Sequence, residues 1–259
     1  MSLVIDDSGR PIHYPRDTRR FEFDAEVASI FENMAVRSIP AYAETHRVHA
    51  SIARMYLDDT YESLTKEVCI GDIGASTGVF FKTLCSVYEV PIDAGLPVSC
   101  VAIDNSGPML DRLSDSLPWV TCMMEDATDL HLSNMMFDVM NISYLVQFLS
   151  KGTRFNFLKS IAKHMKPGGL LFLSQKENID NETFDKYFTA EYIQFRMDNG
   201  YTGEEIAVKT EALKNSMWVD SFNFMGDMLR GAGFSFIQPT TRWLNFSSLV
   251  CIGGYRQSF

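Results

Sequence analysis

The stretch from residue 68 to residue 78 constrains the fold of this 259-residue chain more than any other part of it. It reads Val-Cys-Ile-Gly-Asp-Ile-Gly-Ala-Ser-Thr-Gly, a short apolar run that meets Asp72 and then places Gly74 and Gly78 before an apolar helical pattern. This order predicts a strand, a tight turn and a helix. Glycine allows positive φ and close approach of a ligand, and the helix N-terminus offers unpaired N–H groups. The stretch therefore predicts a site for a nucleotide-like ligand.

The spacing of the glycines narrows the choice of ligand. Gly74 and Gly78 are separated by Ala-Ser-Thr, which does not match the dinucleotide fingerprint G-x-G-x-x-G, and no G-K-[ST] follows to form a phosphate loop. NAD and ATP are therefore disfavoured. An acidic residue at a strand end followed by G-x-x-x-G resembles the arrangement in which class I methyltransferases hold S-adenosylmethionine. A glycine turn that only packs a helix on a strand would give the same pattern.

Composition and charge exclude several classes of protein. The chain is 46% hydrophobic and 22% charged, and no apolar run approaches the ~20 residues of a membrane span, so we expect a soluble protein without membrane association. The N-terminus lacks the apolar core of a secretory signal, and the five scattered cysteines form no C-x-x-C, which predicts a cytoplasmic protein with reduced thiols. A net charge of -10 opposes direct binding to nucleic acid and favours a small-molecule substrate.

Apolar runs and helical patterns alternate along the chain after residue 68. This alternation, counted five times, predicts an α/β fold with a doubly wound, Rossmann-like, seven-stranded sheet in a single domain over residues 1–259. The later strands are predicted at Val98–Asp104, Trp119–Met124, Phe137–Ile142, Leu170–Ser174, Phe234–Ile237 and Asn245–Ile252, the last two as an antiparallel hairpin at the sheet edge. An arm and two helices are predicted over 1–60, and a helical insert over 176–220 as a lid. The helix after the fourth strand is predicted to run to Met165 and to stop at Lys166-Pro-Gly-Gly169.

Polar side chains follow the predicted parallel strands where each strand ends, at the edge where open α/β sheets bind ligands. Asp104 is placed to accept hydrogen bonds from both ribose hydroxyls of a nucleoside, although it could instead be the N-cap of the next helix. Asp126, in the loop after the third strand, can face an adenine amino group or simply lie in solvent. Asn141 lies at the end of the fourth strand, beside the first.

Two further patterns bear on metal binding and on methylation of nucleic-acid bases. His46 and His49 are three residues apart on one predicted helix, but no H-E-x-x-H or carboxylate partner completes a metal site, so we predict no metal. The segment 141–144, Asn-Ile-Ser-Tyr, lacks both prolines of the (D/N/S)-P-P-(Y/F) motif found in enzymes that methylate base or amide nitrogens. With the acidic charge, this argues against a DNA adenine methyltransferase.

From about residue 21 to its C-terminus, the chain resembles the carboxy-S-adenosylmethionine synthase family, a branch of the class I methyltransferase superfamily. The most specific stretches are Phe23-Asp-Ala-Glu-Val-Ala, Arg37-Ser-Ile-Pro-Ala-Tyr42, Ala102-Ile-Asp-Asn105, Gln147-Phe-Leu149, Lys166-Pro-Gly-Gly169 and Asn199-Gly-Tyr201. The resemblance implies S-adenosylmethionine as the cofactor and makes a homodimer plausible. With Asp72 from the glycine motif, the expected cofactor contacts are Tyr42, Asp72, Gly74, Ala75, Ser76, Asp104, Asn105, Asp126, Ala127 and Asn141.

One position departs from the family pattern. The family places an arginine directly after the lysine that aligns with Lys209, and that guanidinium pairs with the extra carboxylate of carboxy-S-adenosylmethionine. Here the residue is Thr210. A hydroxyl cannot supply the charged, two-pronged pairing, and an unpaired buried carboxylate would cost several kcal/mol. The cations that could take over from nearby positions are Lys209, Lys214, Arg196 and Arg242.

The sequence therefore predicts a transferase that uses S-adenosylmethionine, most simply a methyltransferase acting on a small molecule. Tyr201, His46 and His49 are its candidates for a general base. One alternative is carboxy-S-adenosylmethionine synthesis from prephenate, which the resemblance connects with tRNA wobble-uridine modification. Another is a protein that binds the cofactor without chemistry.

Overall fold

A computed structural model of the chain describes residues 23–61, 67–88, 98–214 and 216–253. The strands are β1 (Val68–Ile73), β2 (Val98–Asp104), β3 (Thr121–Met124), β4 (Phe137–Ser143), β5 (Met165–Lys176), β6 (Ser235–Trp243) and β7 (Phe246–Ile252). The helices are α1 (Ala25–Ser38), α2 (Tyr42–Tyr61), α3 (Val79–Tyr88), α4 (Gly107–Ser116), α5 (Lys151–Lys163), α6 (Glu182–Asp198), α7 (Gly203–Leu213) and α8 (Phe222–Ala232). A short 3-10 helix spans Val146–Phe148.

The seven strands form one sheet in the order β3-β2-β1-β4-β5-β7-β6. Strands β1 to β5 are parallel, and β7 pairs antiparallel with both β5 and β6. The predicted seven-stranded Rossmann-like sheet and its closing hairpin are therefore confirmed. The strand order reverses between β1 and β4, which makes their carboxyl ends the switch point where ligands bind in such sheets.

Both faces of the sheet are buried, as expected for parallel strands between layers of helices. Neighbouring residues of one strand point to opposite faces, so Val139 packs in the cluster under α2 and α3, while Met140 packs in the cluster under α5 and α8. Phe172 and Leu173 of β5 divide in the same way. This packing fixes the register of the strands and hence the positions of their carboxyl ends.

Two local predictions were wrong. Helix α5 ends at Lys163, and β5 begins at Met165, so Lys166-Pro-Gly-Gly169 opens a strand and does not stop a helix. At Gly169 the backbone passes so close to β4 that a Cβ would lie 3.0 Å from the carbonyl oxygens of Phe137 and Asp138. In addition, residues 125–136, which join β3 to β4, lie within the described part of the chain and contain no helix. The predicted alternation of strands and helices is therefore interrupted between β3 and β4.

The N-terminal helices and the 176–220 insert meet above the carboxyl ends of the strands. Arg37 Nε donates to the carbonyl of Asn199 at 2.7 Å, and the hydroxyls of Ser38 and Tyr201 are 2.8 Å apart. The Tyr192 hydroxyl donates to the Ser38 carbonyl at 2.9 Å. The C-terminal end of α1 is thus bound to the insert, and together they cover the strand ends. No helix within the described ranges is long and apolar enough to cross a membrane.

Candidate active site

A cavity of about 1330 Å³ lies between the carboxyl ends of the strands and this cover. Pockets that hold one small ligand are typically about 300–1000 Å³, so the cavity has room for a cofactor and a second molecule. All ten predicted cofactor contacts line it: Tyr42, Asp72, Gly74, Ala75, Ser76, Asp104, Asn105, Asp126, Ala127 and Asn141.

The glycine loop after β1 adopts a conformation that requires its glycines. Gly74 has φ +72° and Gly78 has φ +81°, and a Cβ at Gly78 would lie 2.8 Å from Leu113 Cγ. The N–H groups of Gly74 and Ala75 donate to the carbonyl of Ile103 in β2, at 2.8 and 3.1 Å. The loop is therefore held down on β2, and a ligand can approach its backbone closely.

Asp104 connects the glycine loop to the loop after β2. Its Oδ2 accepts from the backbone N–H of Ser76 at 2.8 Å, and its Oδ1 accepts from the N–H of Ser106 at 2.9 Å. Burial raises the pKa of Asp104, and backbone hydrogen bonds from Ser106, Ser76 and Asn105 act in the opposite direction. A carboxylate has about four acceptor positions, so capacity for two ribose hydroxyls remains. The N-cap of α4 is Ser106, which rules out the N-cap alternative for Asp104.

Asp72 and Asn141 form a buried pair at the switch point. They are register partners in β1 and β4, and Asn141 Nδ2 donates to Asp72 Oδ1 at 2.8 Å. Burial raises the pKa of Asp72 to about 7, with a further contribution from the charge of Asp104, while the Asn141 hydrogen bond opposes the shift. A carboxyl group with this pKa can ionise readily when a positive group comes near.

Asp126 forms a tight turn in the loop after β3. Its Oδ1 accepts from both the backbone N–H and the hydroxyl of Thr128, at 2.7 and 2.6 Å. The hydrogen bonds to Thr128, and a weaker one to Asn105, lower the pKa of this exposed carboxylate. Asp126 is therefore held ionised at the rim of the cavity, next to Asp104's loop.

Aromatic rings form the wall between the glycine loop and the insert. The Tyr42 ring lies 4.6 Å from the His46 ring and 5.9 Å from the Tyr144 ring. The Phe246 ring continues the wall, 6.4 Å from Tyr144 and 5.1 Å from Tyr192. The planes of these rings are inclined to one another by 32–74°, and together they give the cavity an aromatic, apolar wall.

The three candidates for a general base lie in different environments. His46 lines the cavity, its ring nitrogens have no hydrogen-bond partner among the described residues, and burial lowers its pKa to about 4. His49 stacks on Phe172 at 4.6 Å, binds Thr240 Oγ1 at 3.1 Å and does not line the cavity. Tyr201 is buried behind the cavity wall, with its hydroxyl at Ser38. Within the described ranges, no three His, Cys, Asp or Glu side chains are grouped as metal ligands.

Thr210 also lines the cavity, but its hydroxyl is already bonded. Thr210 Oγ1 donates to the carbonyl of Ile206, one helical turn earlier, at 2.7 Å. The structure brings further polar and aromatic residues into the cavity that sequence reasoning did not select: Ser143, Tyr144, Gln147, Lys176, Tyr192 and Phe246. Of these, Gln147 could have been found, since it begins one of the stretches that carry the family resemblance.

Curated relatives decide the family. The chain is 35% identical to carboxy-S-adenosyl-L-methionine synthase of Trichodesmium erythraeum, covering 89% of this chain and 87% of that protein. The chain belongs to the carboxy-S-adenosyl-L-methionine synthase family. The synthase of Nautilia profundicola is 30% identical over 90% of this chain and 94% of its own length. A family model described as a methyltransferase domain matches residues 70–169, which include the glycine loop, Asp104, Asp126 and Asn141.

Solved structures agree on the fold. Human N-acetylserotonin methyltransferase, in complex with S-adenosylmethionine, superposes with a TM-score of 0.54 at 12% identity, covering 93% of this chain and 64% of that one. The CurJ carbon methyltransferase gives 0.59 at 11% identity, over 88% and 61%. The predicted family, fold class, cofactor and enzyme class, an S-adenosylmethionine-dependent transferase, are thus confirmed.

Proposed function

We propose that this member of the family is a methyltransferase that acts on a small molecule. The observation that carries the proposal is the cavity itself, which combines a nucleoside-binding edge with space for a second ligand under the cover. Asp104 would hold the ribose, Asp126 the adenine, and Asp72 with Asn141 the positively charged methionine end of the cofactor. S-adenosylmethionine supplies an electrophilic methyl group, because its sulfonium is a good leaving group.

The chain's own contribution to such a reaction is positioning and exclusion of water. The aromatic wall of Tyr42, Tyr144 and Phe246 limits where an acceptor can lie relative to the glycine loop. The cover formed by α1 and the insert separates that position from bulk solvent. Holding two reactants in line can contribute several kcal/mol of a barrier without any acid or base. His46, whose lowered pKa keeps its ring neutral, can accept a hydrogen bond from the acceptor but is a poor proton acceptor.

Carboxy-S-adenosylmethionine synthesis is the second candidate, and the names of the curated relatives favour it. Against it stands Thr210, at the position where the family has its carboxylate-binding arginine. The Thr210 hydroxyl proton is given to Ile206 within α7, so this residue cannot pair with a carboxylate as it stands. For this reason we place methyl transfer first.

Mass spectrometry distinguishes the two reactions. The purified protein is incubated with S-adenosylmethionine, with and without prephenate. The protein is then denatured, and the mass of the released nucleoside is measured. We expect S-adenosylmethionine or its demethylated product under both conditions. A nucleoside heavier by one carboxyl group, formed only with prephenate, would establish the synthase and overturn our proposal.

We further propose that the protein acts in the cytoplasm, without direct contact with nucleic acid, and as a homodimer. The five cysteines are all free, which supports the first point, and the acidic charge of -10 supports the second. The third is supported by exposed apolar side chains on α6, Phe184, Tyr187 and Met197. Light scattering during gel filtration should give twice the 29.3 kDa of the chain, and a monomer at micromolar concentration would refute the dimer.

A further inference from the structure

Helix α1 touches three parts of the wall around the cavity. Just before the helix begins, the Ser106 hydroxyl, in the loop after β2, donates to the Phe23 carbonyl at 2.5 Å. In the middle of the helix, Glu32 binds the glycine loop, and at its end Arg37 and Ser38 bind the insert. The residues of α1 that line the cavity are Phe31, Met34, Ala35 and Ser38. One helix thus bridges the loops after β1 and β2 and the insert.

Helices α1 and α2 differ in how firmly they are packed. Helix α2 is anchored in a large core cluster by the buried side chains of Ala50, Ala53 and Leu57. Helix α1 instead packs mainly in a small separate cluster made of Val27, Ala28, Met34 and Met109. Elements with few buried apolar contacts open at a lower cost in free energy than the core does. Of the two helices, α1 is therefore the one that can leave the sheet without disrupting the core.

The corner between the two helices provides a pivot. Helix α1 ends at Ser38 and α2 begins at Tyr42, and between them Ala41 has φ +54°. A residue other than glycine is uncommon in this left-handed region, and its conformation persists only because the surrounding structure holds it. A few residues that absorb a change in φ and ψ are what a hinge requires. A change at residues 39–41 would move α1 while α2 stays in the core.

Glu32 fastens α1 about two turns before this corner. Its Oε1 accepts from Thr77 Oγ1 at 2.8 Å and from Lys82 Nζ at 2.7 Å. Thr77 is 2% exposed and belongs to the glycine loop, so the bond ties α1 directly to the backbone segment that approaches the cofactor. Partial burial by itself would raise the pKa of Glu32, but the hydrogen bonds from Lys82 and Thr77 outweigh it and lower the pKa. The carboxylate is therefore ionised at neutral pH, which strengthens both bonds.

This set of contacts lies outside the cavity. Glu32, Thr77 and Lys82 are all described, and none of them is among the residues that line the cavity. Glu32 therefore does not act on the cofactor by contact, and its bonds to Thr77 and Lys82 do not need a cofactor in order to form.

We propose that Glu32 is a positioning residue that latches α1 to the glycine loop, and that release of this latch lets α1 open for exchange of the cofactor. The inference goes beyond the proposed function and holds for either candidate reaction, because both require the cofactor to enter and a spent nucleoside to leave. If the ligand passes only while α1 is open, the open fraction limits both its association and its dissociation.

The test measures the two rate constants separately. Surface plasmon resonance on immobilised protein gives the association and dissociation rate constants of S-adenosylhomocysteine. Glu32→Ala should raise both rate constants by about fivefold, as loss of a partly exposed hydrogen bond would give, and should leave Kd within about twofold of wild type. Asp104→Ala provides the contrast, since removing a cofactor contact should raise the dissociation rate constant alone.

Thr77→Val locates the latch on its other side. The change keeps the shape of the buried side chain and removes the donor to Glu32, so both rate constants should again rise, by less than in Glu32→Ala because Lys82 still binds Glu32. Combining the two changes should give no faster exchange than Glu32→Ala alone, since both remove the same bond. Glu26→Ala is the matched control, an exposed carboxylate on α1 that does not line the cavity, and it should leave both rate constants unchanged.

Three results would overturn the proposal. A rise in the dissociation rate constant alone in Glu32→Ala would mean that Glu32 stabilises the complex without gating exchange. Equal changes in Glu26→Ala and Glu32→Ala would mean that any loss of charge on α1 has this effect. Full additivity of Glu32→Ala and Thr77→Val would mean that the two residues act separately.

Discussion

The two walls of the cavity differ in charge and in how they are built. The wall at the strand ends is acidic, because Asp72, Asp104 and Asp126 lie there. Their short side chains accept hydrogen bonds from backbone N–H groups or, for Asp72, from the side chain of Asn141. The wall on the insert is basic and carries Lys176 and Arg196 on long side chains that lie over an aromatic ring. The acidic wall suits the positive charge and the ribose hydroxyls of the cofactor, and the wall on the insert faces the space left for a second ligand. The two walls of one cavity thus differ in charge.

The largest expected effect concerns how the insert wall is anchored. Arg154 is 1% exposed and donates to the Asp220 carboxylate and to the Trp218 carbonyl, where the insert returns to the sheet. Arg154→Met leaves the buried Asp220 with only the exposed Lys151, at 3.8 Å, and should lower the free energy of unfolding by about 3 kcal/mol. Urea denaturation measures this loss.

The control is Arg230→Met, because Arg230 forms an exposed pair with Asp227 and should contribute only about 0–1 kcal/mol. Equal small losses in both variants would show that the insert is not held by Arg154.

The acidic wall predicts a pH dependence of stability. The pKa of Asp72 is about 7 in the folded chain and near its ordinary 3.8 in the unfolded chain, so the folded state binds more protons between these values. Stability therefore falls as pH rises from about 4 to about 7 and stays low above that range. Asp72→Asn keeps an acceptor for Asn141 and removes the ionisation, so its stability relative to wild type should rise by about 3 kcal/mol over this range.

Denaturant titrations of both proteins at pH 4, 5.5 and 7 measure that difference. A constant difference across the three pH values would mean that Asp72 ionises normally in the folded chain.

The cofactor contact at Asp104 gives a smaller effect. Asp104→Ala removes the acceptor for the ribose hydroxyls and releases the backbone N–H groups of Ser76 and Ser106. Binding of S-adenosylmethionine should weaken by at least about tenfold, or about 1.4 kcal/mol. Glu125→Ala is the matched control, a carboxylate at the same rim of the cavity that we do not assign to the ribose. Unchanged affinity in Asp104→Ala would refute the ribose assignment.

The acidic wall could be predicted from sequence because its determinants are local. Asp72, Asp104 and Asn141 lie at or near the carboxyl ends of β1, β2 and β4, and Asp126 lies two residues after β3. Parallel strands bring their carboxyl ends to one edge, so these side chains had to lie together. The family resemblance then added Tyr42, Ala75 and Ser76 of the glycine loop, Asn105 beside Asp104, and Ala127 beside Asp126.

The basic wall was only partly predicted. Arg196 and Lys209 were among the candidate cations, but Lys176 was not, and Tyr201 and His49 do not line the cavity. Helix α6 carries apolar and aromatic residues on several faces, with Phe184 and Tyr187 exposed and Tyr192 buried, so the sequence does not indicate which face meets the cavity. That choice is made by tertiary contacts, such as those of Ser38 with Tyr192 and Tyr201.

The strand β5 shows a similar limit. Lys166-Pro-Gly-Gly169 has the composition of a helix stop, and local pattern alone predicted one. The pairing of Phe137 with Met165, and of Gly169 with Gly253 through its carbonyl, extends β5 instead. Sheet pairing that spans many residues thus overrides the local signal.

The assignment of the cofactor to the acidic wall is tested most directly by one calorimetric comparison. S-adenosylmethionine is titrated into wild-type protein, Asp104→Ala and Arg196→Met under identical conditions. We predict that Asp104→Ala weakens binding by at least about tenfold. Arg196→Met should leave the affinity within about threefold of wild type, since Arg196 lies on the opposite wall and is not among the proposed cofactor contacts. Equal weakening in both variants, or none in either, would contradict the account.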